Sequence, residues 1–321
     1  MRFRPSHTRT GKCGTLFKLL CRRSSSLWVV LLLTAILTPS FAVLSVPSSA
    51  STLGGSPSIR TLTIPTSPGS DYPTYLGGVE RDSASSDPSI NLTSVHSLHV
   101  LWGYNVKNNQ VESQPVEANG SVFFGANNGY EYSLYATNGT LRWKTFLGVA
   151  TNDTPCGFQQ GVTSTATIAG STLYVEGGYP YFYSLNSSTG QIEWRASIAA
   201  GGAVYGLYDW SSPLIYNGNA YVGIASQCDV PLVPAGLDEF SLTTHLLVNF
   251  FNTSAPEPNG SSIWGSPAVN PTTNTIYIAT GNAYESTSTP YSESIIALNA
   301  TTLAVKASWQ VPAAQRVVRF S

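Results

Sequence analysis

The 321-residue chain is short of charge: only 10% of it is Asp, Glu, Lys or Arg, well under the quarter usual for a soluble domain. Ser, Thr, Asn and Gly supply the polarity instead. With 11% aromatic residues, that mix suits strands and tight turns. It argues against a coiled coil, a helical repeat or a nucleotide-binding α/β domain. Methionine is confined to the initiator, which speaks against a helical core padded with flexible thioethers. Bases are scarce beyond Arg23, where nine face seventeen acids for a formal net charge of −8. That balance excludes a basic stripe for nucleic acid. Four histidines, His7, His96, His99 and His245, stand in no His-Glu-x-x-His or triad-like context and read as isolated surface residues. Apolar runs are missing too, apart from one near the N-terminus.

That run has a purpose legible in its flanks. Residues 1–23 hold seven of the sixteen bases and no acid, and the apolar stretch Leu27–Leu37 follows. Ser40-Phe41-Ala42 and Ser48-Ser49-Ala50 then place small residues at the −3 and −1 positions of a cleavage site. Residues 1–50 therefore read as a secretory signal, or as an uncleaved anchor over residues 27–46, just long enough to span a bilayer. Either way the protein is expected outside the cytoplasm, extracellular, periplasmic or at the cell surface, and contact with membrane is expected only through this segment. Residues 51–71 are rich in Ser, Thr and Pro, a flexible spacer. Residues 72–321 form the folded domain.

Within that domain a module recurs. Gln114-Pro115-Val116 opens a strand, an Asn119-Gly120 turn and a second strand, and a third strand leads through Asn138-Gly139 into Trp143. Matching openings fall near 165, 213 and 267, about fifty residues apart. Alternating apolar strands joined by Asn-Gly and Gly-rich turns make antiparallel hairpins. Four such strands form a small twisted sheet that cannot bury both faces alone, and radial packing of the sheets gives a β-propeller. The spacing predicts an all-β propeller of four-stranded antiparallel blades, about five in number, in an incomplete ring, with the chain stopping early as a fragment of a longer product.

The segment Ser184-Leu185-Asn186-Ser187-Ser188-Thr189-Gly190-Gln191-Ile192-Glu193-Trp194 resembles the tryptophan-docking repeat of the quinoprotein (pyrroloquinoline quinone, PQQ) dehydrogenase-like propellers. Ala136–Trp143 is a shortened copy, and Ala297–Thr302 a degenerate one with Leu303 where glycine belongs. The resemblance covers roughly residues 72–313. It implies that Trp143 and Trp194, with Gly139 and Gly190, are structural wedges between blades. It places Trp102 on the outer strand of an earlier blade and Val248 near the third copy's missing tryptophan. It also implies PQQ and calcium in a central funnel, with Asn282, in Thr280-Gly281-Asn282, as the one metal ligand that carries over. Calcium needs six or more oxygens, and no adjacent cysteine pair exists to lie over a quinone.

Two further features complete the reading. Cys156 and Cys228 remain after the signal, an even pair for an oxidising compartment. A disulfide between them would link adjacent blades and stabilise by about 4 kcal/mol on the loop-entropy model. The eight Asn-x-Ser/Thr sites coincide with turn chemistry. Three functions fit: a non-catalytic exported platform for an unknown protein or polymer ligand, the N-terminal part of a PQQ- and calcium-dependent alcohol or polymer-alcohol dehydrogenase, and a carbohydrate- or polymer-binding surface module suggested by Tyr179-Pro180-Tyr181-Phe182-Tyr183. Missing vicinal cysteines and the lack of a legible acid/base set favour the first.

Overall fold

The computed structural model describes residues 71–85, 87–107, 109–150, 160–198, 206–229, 231–254, 260–284 and 290–316. The signal region, all but the last residue of the spacer, and Cys156 lie outside these. The described residues belong to one compact unit beginning at Ile64, and none of their helices is long and apolar enough to cross a membrane.

Four antiparallel sheets follow in chain order. The first comprises β1 (Val116–Ala118), β2 (Ser121–Gly125), β3 (Tyr130–Tyr135) and β4 (Leu141–Phe146), and the second β5 (Thr167–Ala169), β6 (Thr172–Glu176), β7 (Tyr181–Asn186) and β8 (Ile192–Ser197). The third adds β9 (Leu207–Tyr208) to β10 (Leu214–Tyr216), β11 (Asn219–Ser226), β12 (Gly236–Ser241) and β13 (Leu247–Asn252). The fourth comprises β14 (Ala268–Asn270), β15 (Thr275–Ala279), β16 (Ser294–Asn299) and β17 (Val305–Gln310). Each is a four-stranded meander in sequence order, with β9 added off that path by pairing to β11 in the third. At Asn119-Gly120 and Asn217-Gly218 both turn residues have positive φ, the geometry whose twist matches the flanking strands. A register shift recurs between the third and fourth strands of every sheet, at Ser133/Leu134, Ser184/Leu185, Glu239/Phe240 and Ala297/Leu298. The repeat is thus kept down to its bulge.

Apolar side chains from neighbouring sheets interleave face to face. Val116, Phe123 and Trp143 meet Leu173, Val175 and Leu185 between sheets one and two. Phe182 meets Val222, Ile224 and Phe240 between two and three. Leu214, Tyr221 and Leu237 meet Ile276, Ile278, Ile296 and Leu298 between three and four. These are propeller blades, and the set is open. The far face of the fourth blade leaves Tyr277, Ile295 and Trp309 at 43%, 55% and 58% exposure.

Among the described residues four blades stand, where the spacing predicted about five. The described residues of 72–111 build no sheet of their own; they hold loops and a short 3-10 helix at Ser94–Ser97. Their first part lies along the inner strands instead. Tyr72 bridges Glu117, Ile168 N–H donates to Pro73 O, and Val269 N–H donates to Val79 O. Arg81 donates to Pro213 O and Pro267 O at 3.1 Å each, to Tyr75 O at 2.7 Å and to Thr74 Oγ1 at 2.5 Å. One peptide therefore pins the inner strands of all four blades. Trp102 lies in no strand, yet its indole N–H donates to Ala136 O at 2.8 Å.

Candidate functional site

The segments leading into the inner strands set the hub. Four stretches align there: Glu112-Ser113-Gln114, Thr163-Ser164-Thr165, Trp210-Ser211-Ser212 and Trp264-Gly265-Ser266. Their third residues are joined by a relay from blade to blade. Gln114 N–H donates to Thr165 Oγ1 at 2.8 Å, Thr165 N–H to Ser212 Oγ at 3.0 Å, and Ser212 N–H to Ser266 Oγ at 2.9 Å. These backbone groups precede the strands and have no ladder partner on that side, so hydroxyls satisfy them.

Two cavities open at this hub and share Trp210 and Trp264 as walls. The larger, about 410 Å³, is lined also by Ser226, Cys228, Asp229, Ser262, Asn282 and Tyr284. Trp264 is 63% exposed, an unusual position for an indole, whose area favours burial. Asn282 sits on the same wall; its Nδ2 donates to Ala283 O at 3.2 Å, which leaves the amide oxygen for a ligand. Tyr284 donates its hydroxyl to Asp229. Cys228, which also lines this cavity, is disulfide-bonded. Cys156 lies outside the described residues, and its pairing with Cys228 stays a proposal.

A PQQ–calcium pair can be tested against this donor set. The volume and the exposed indole face suit a flat ring. No Lys or Arg lines either cavity, so the carboxylates of PQQ would meet no cationic side chain there and its hold would rest on ring stacking and neutral donors. The oxygen count does not suit calcium: Asn282 offers one amide oxygen and Asp229 is engaged by Tyr284. Among the described residues no group of three or more His, Cys, Asp or Glu is placed to hold a metal ion.

The other residues singled out by the sequence lie between blades, away from the hub. The Trp143 indole N–H donates to Ser187 O at 2.9 Å, and a Cβ on Gly190 would fall 2.5 Å from its ring. Trp102 stands in the same relation to Gly139, at 2.4 Å. Trp194 stacks on His245 at 4.6 Å between ring centres, His245 taking the turn position that glycine holds elsewhere. In the third blade Asn249, not Val248, occupies the tryptophan's place, and its Nδ2 donates to Thr302 O at 3.4 Å. In the tyrosine-rich stretch, Phe182 and Tyr183 are buried and Tyr179 alone is well exposed. Sequence reasoning missed the hub tryptophans. Their signal was Trp-x-Ser-Pro, at 210–213 and again at 264–267, obscured because the other blades carry Glu112 and Thr163 there.

Buried carboxyls were missed as well. Glu176, Asp209 and Asp238 lie at the seam of blades two and three, each at most 2% exposed. Asp209 and Asp238 have no hydrogen-bond partner on either oxygen, while Glu176 accepts one bond, from Ser164, on one oxygen. Burial pushes Glu176 and Asp238 up to about 8. Asp209 is pushed well above the usual range by burial first, then by Glu176 and Asp238.

No known family profile matches the chain. A polyvinylalcohol dehydrogenase from a Pseudomonas species is 22% identical over 245 residues, 69% of this chain and 37% of that protein. A quinohemoprotein alcohol dehydrogenase from Comamonas testosteroni superposes with a TM-score of 0.65 at 19% identity, covering 76% of this chain and 42% of that one. One from Pseudomonas putida gives 0.63 at 17% identity, covering 75% and 40%. The chain spans less than half the length of each. The fold is the propeller of the quinoprotein alcohol dehydrogenases.

Proposed function

We propose that the chain is an exported propeller of alcohol oxidation, holding the ring of a quinone in the cavity between Trp264 and Asn282. The observation that carries this is the exposed Trp264 indole, on the wall of a hub cavity in the fold that alcohol-oxidising quinoproteins use. When bound, the quinone supplies the two-electron acceptor that alcohol oxidation needs. Trp264 offers its face for stacking, Asn282 an amide oxygen at the ring edge, and the Tyr284–Asp229 pair closes one wall. Calcium is left out of this reading, since the described residues do not make a calcium site. The platform reading draws no support from the relatives.

Titration of the exported protein with PQQ, with and without calcium, tests the reading through quinone absorbance. Saturable binding that does not require calcium, weakened at least tenfold by Trp264→Ala, is the expected outcome. A folded protein that leaves the quinone spectrum unchanged overturns it.

A further inference from the structure

The second hub cavity, about 370 Å³, lies on the other side of Trp210 and Trp264. It is built from one position of the repeat used four times. Glu112, Thr163, Trp210 and Trp264 form one tier, and Gln114, Thr165, Ser212 and Ser266 the next. Tyr75, from the peptide pinning the blades, adds a further ring.

The relay described above fixes what the second tier can do. The oxygens of Thr165, Ser212 and Ser266 each accept a backbone N–H from the preceding blade. A hydroxyl that accepts still has its own hydrogen to give, and none of these three donates to any protein acceptor. Thr165 and Ser212 are 2% and 3% exposed, so bulk water reaches them poorly. A half-used hydroxyl in such a place carries an unmet desolvation penalty. Three of them, from three consecutive blades, line one chamber.

Ligand classes can be separated by charge and polarity. An anion would find donors but no Lys or Arg on the wall, and would face the Glu112 carboxylate. The Arg81 guanidinium is turned to four oxygens of the hub peptide and of the residues just before the inner strands. An apolar ligand would leave all three hydroxyl hydrogens unpaired. A ligand with many hydroxyls meets each demand: its oxygens accept from Thr165, Ser212 and Ser266, its O–H groups donate to Glu112, and its C–H edges lie on Trp210, Trp264 and Tyr75. We infer that this chamber binds a neutral, polyhydroxylated chain, a polyol or sugar segment, through its hydroxyl tier and the two shared indoles. The inference deepens the alcohol-oxidation reading by naming the substrate class, and it can be tested without any quinone.

The full exported chain would be titrated, quinone-free, with short poly(vinyl alcohol) chains and separately with sorbitol and cellobiose, reading tryptophan fluorescence. Benzoate and 1-propanol serve as anionic and monohydric controls. Saturable binding of the synthetic chain or of the sugar-derived polyols, at least tenfold tighter than either control, is expected, and the arm that binds identifies the source. Thr165→Val should weaken it at least fivefold while Thr165→Ser retains it. Should Thr165→Val fail to fold, Glu112→Ala reads the same chamber from an exposed rim position and should weaken binding about threefold. A folded protein that binds neither polyol, or that binds 1-propanol or benzoate equally well, overturns the inference. So does unchanged polyol affinity in folded Thr165→Val or, where that variant does not fold, in Glu112→Ala. Quinone binding without polyol binding would sink only this chamber, and the converse only the quinone reading.

Discussion

Arg81 is a single side chain on which several blades depend. Its guanidinium donates to the carbonyls just before the inner strands of blades three and four and to two oxygens of its own peptide. Burial lowers its affinity for its proton, to about 10, still far above neutrality, so it stays charged. Charge-assisted bonds of this kind are worth more than neutral ones, and the planar fork reaches several acceptors at once. Arg81→Met is expected to lower stability by about 3 kcal/mol, with Arg81→Lys recovering less than half, as measured by urea midpoints. Equal stability of the lysine variant would mean that charge alone, without the fork, holds the hub. Arg81 looked like any surface base in the sequence, because its acceptors lie 132 and 186 residues away.

At the scale of the element, the first two blades each set a tryptophan on the neighbour's turn, Trp143 at Gly190 and Trp194 at His245. Gly190 has φ +74°, and a Cβ there would meet the Trp143 ring at 2.5 Å; Gly120 has φ +70° but faces open space. Gly120→Ala therefore carries only the left-handed backbone penalty, about 1 kcal/mol. Gly190→Ala should add displacement of the indole, for about 3 kcal/mol in all. Thermal melts of the two variants isolate the wedge, and equal losses would show that Trp143 can shift freely. Much of this was readable beforehand: the Gly–Trp spacing is local, and turn chemistry dictates it. Leu303 was legible only as a departure. It takes φ +54° and is 4% exposed within the core between blades three and four, so packing offsets its strain.

For the whole molecule, the seam between blades two and three makes stability depend on pH. Glu176 and Asp238 hold their protons up to about 8 in the folded protein, but ionise near 4 when unfolded. Their contribution is complete below about pH 4 and declines as pH rises through the folded values near 8. Melting temperature should fall steadily across that window, and Asp238→Asn should flatten the decline, raising the melting temperature at pH 8 but not at pH 4. A wild-type profile rising from pH 4 to pH 8 would contradict the buried, protonated seam. The uncovered face of blade four has a separate consequence. Tyr277, Ile295 and Trp309 expose an apolar sheet surface, which promotes association. Ile295→Lys with Trp309→Lys should reduce light scattering on concentration without lowering the melting temperature.

The sequence by itself determined the all-β class, the fifty-residue blade and the Gly–Trp spacing, because each rests on local periodicity, turn geometry or composition. Tertiary structure alone decided the hub. Trp210 and Trp264 face cavities only because the inner strands converge there, and Thr165, Ser212 and Ser266 become a tier only when successive blades stand side by side. The same holds for Glu176, Asp209 and Asp238, acids of ordinary surface appearance that blade packing removes from water. Contacts that span fifty to two hundred residues leave no periodic trace, so their chemistry becomes visible only once the blades are assembled.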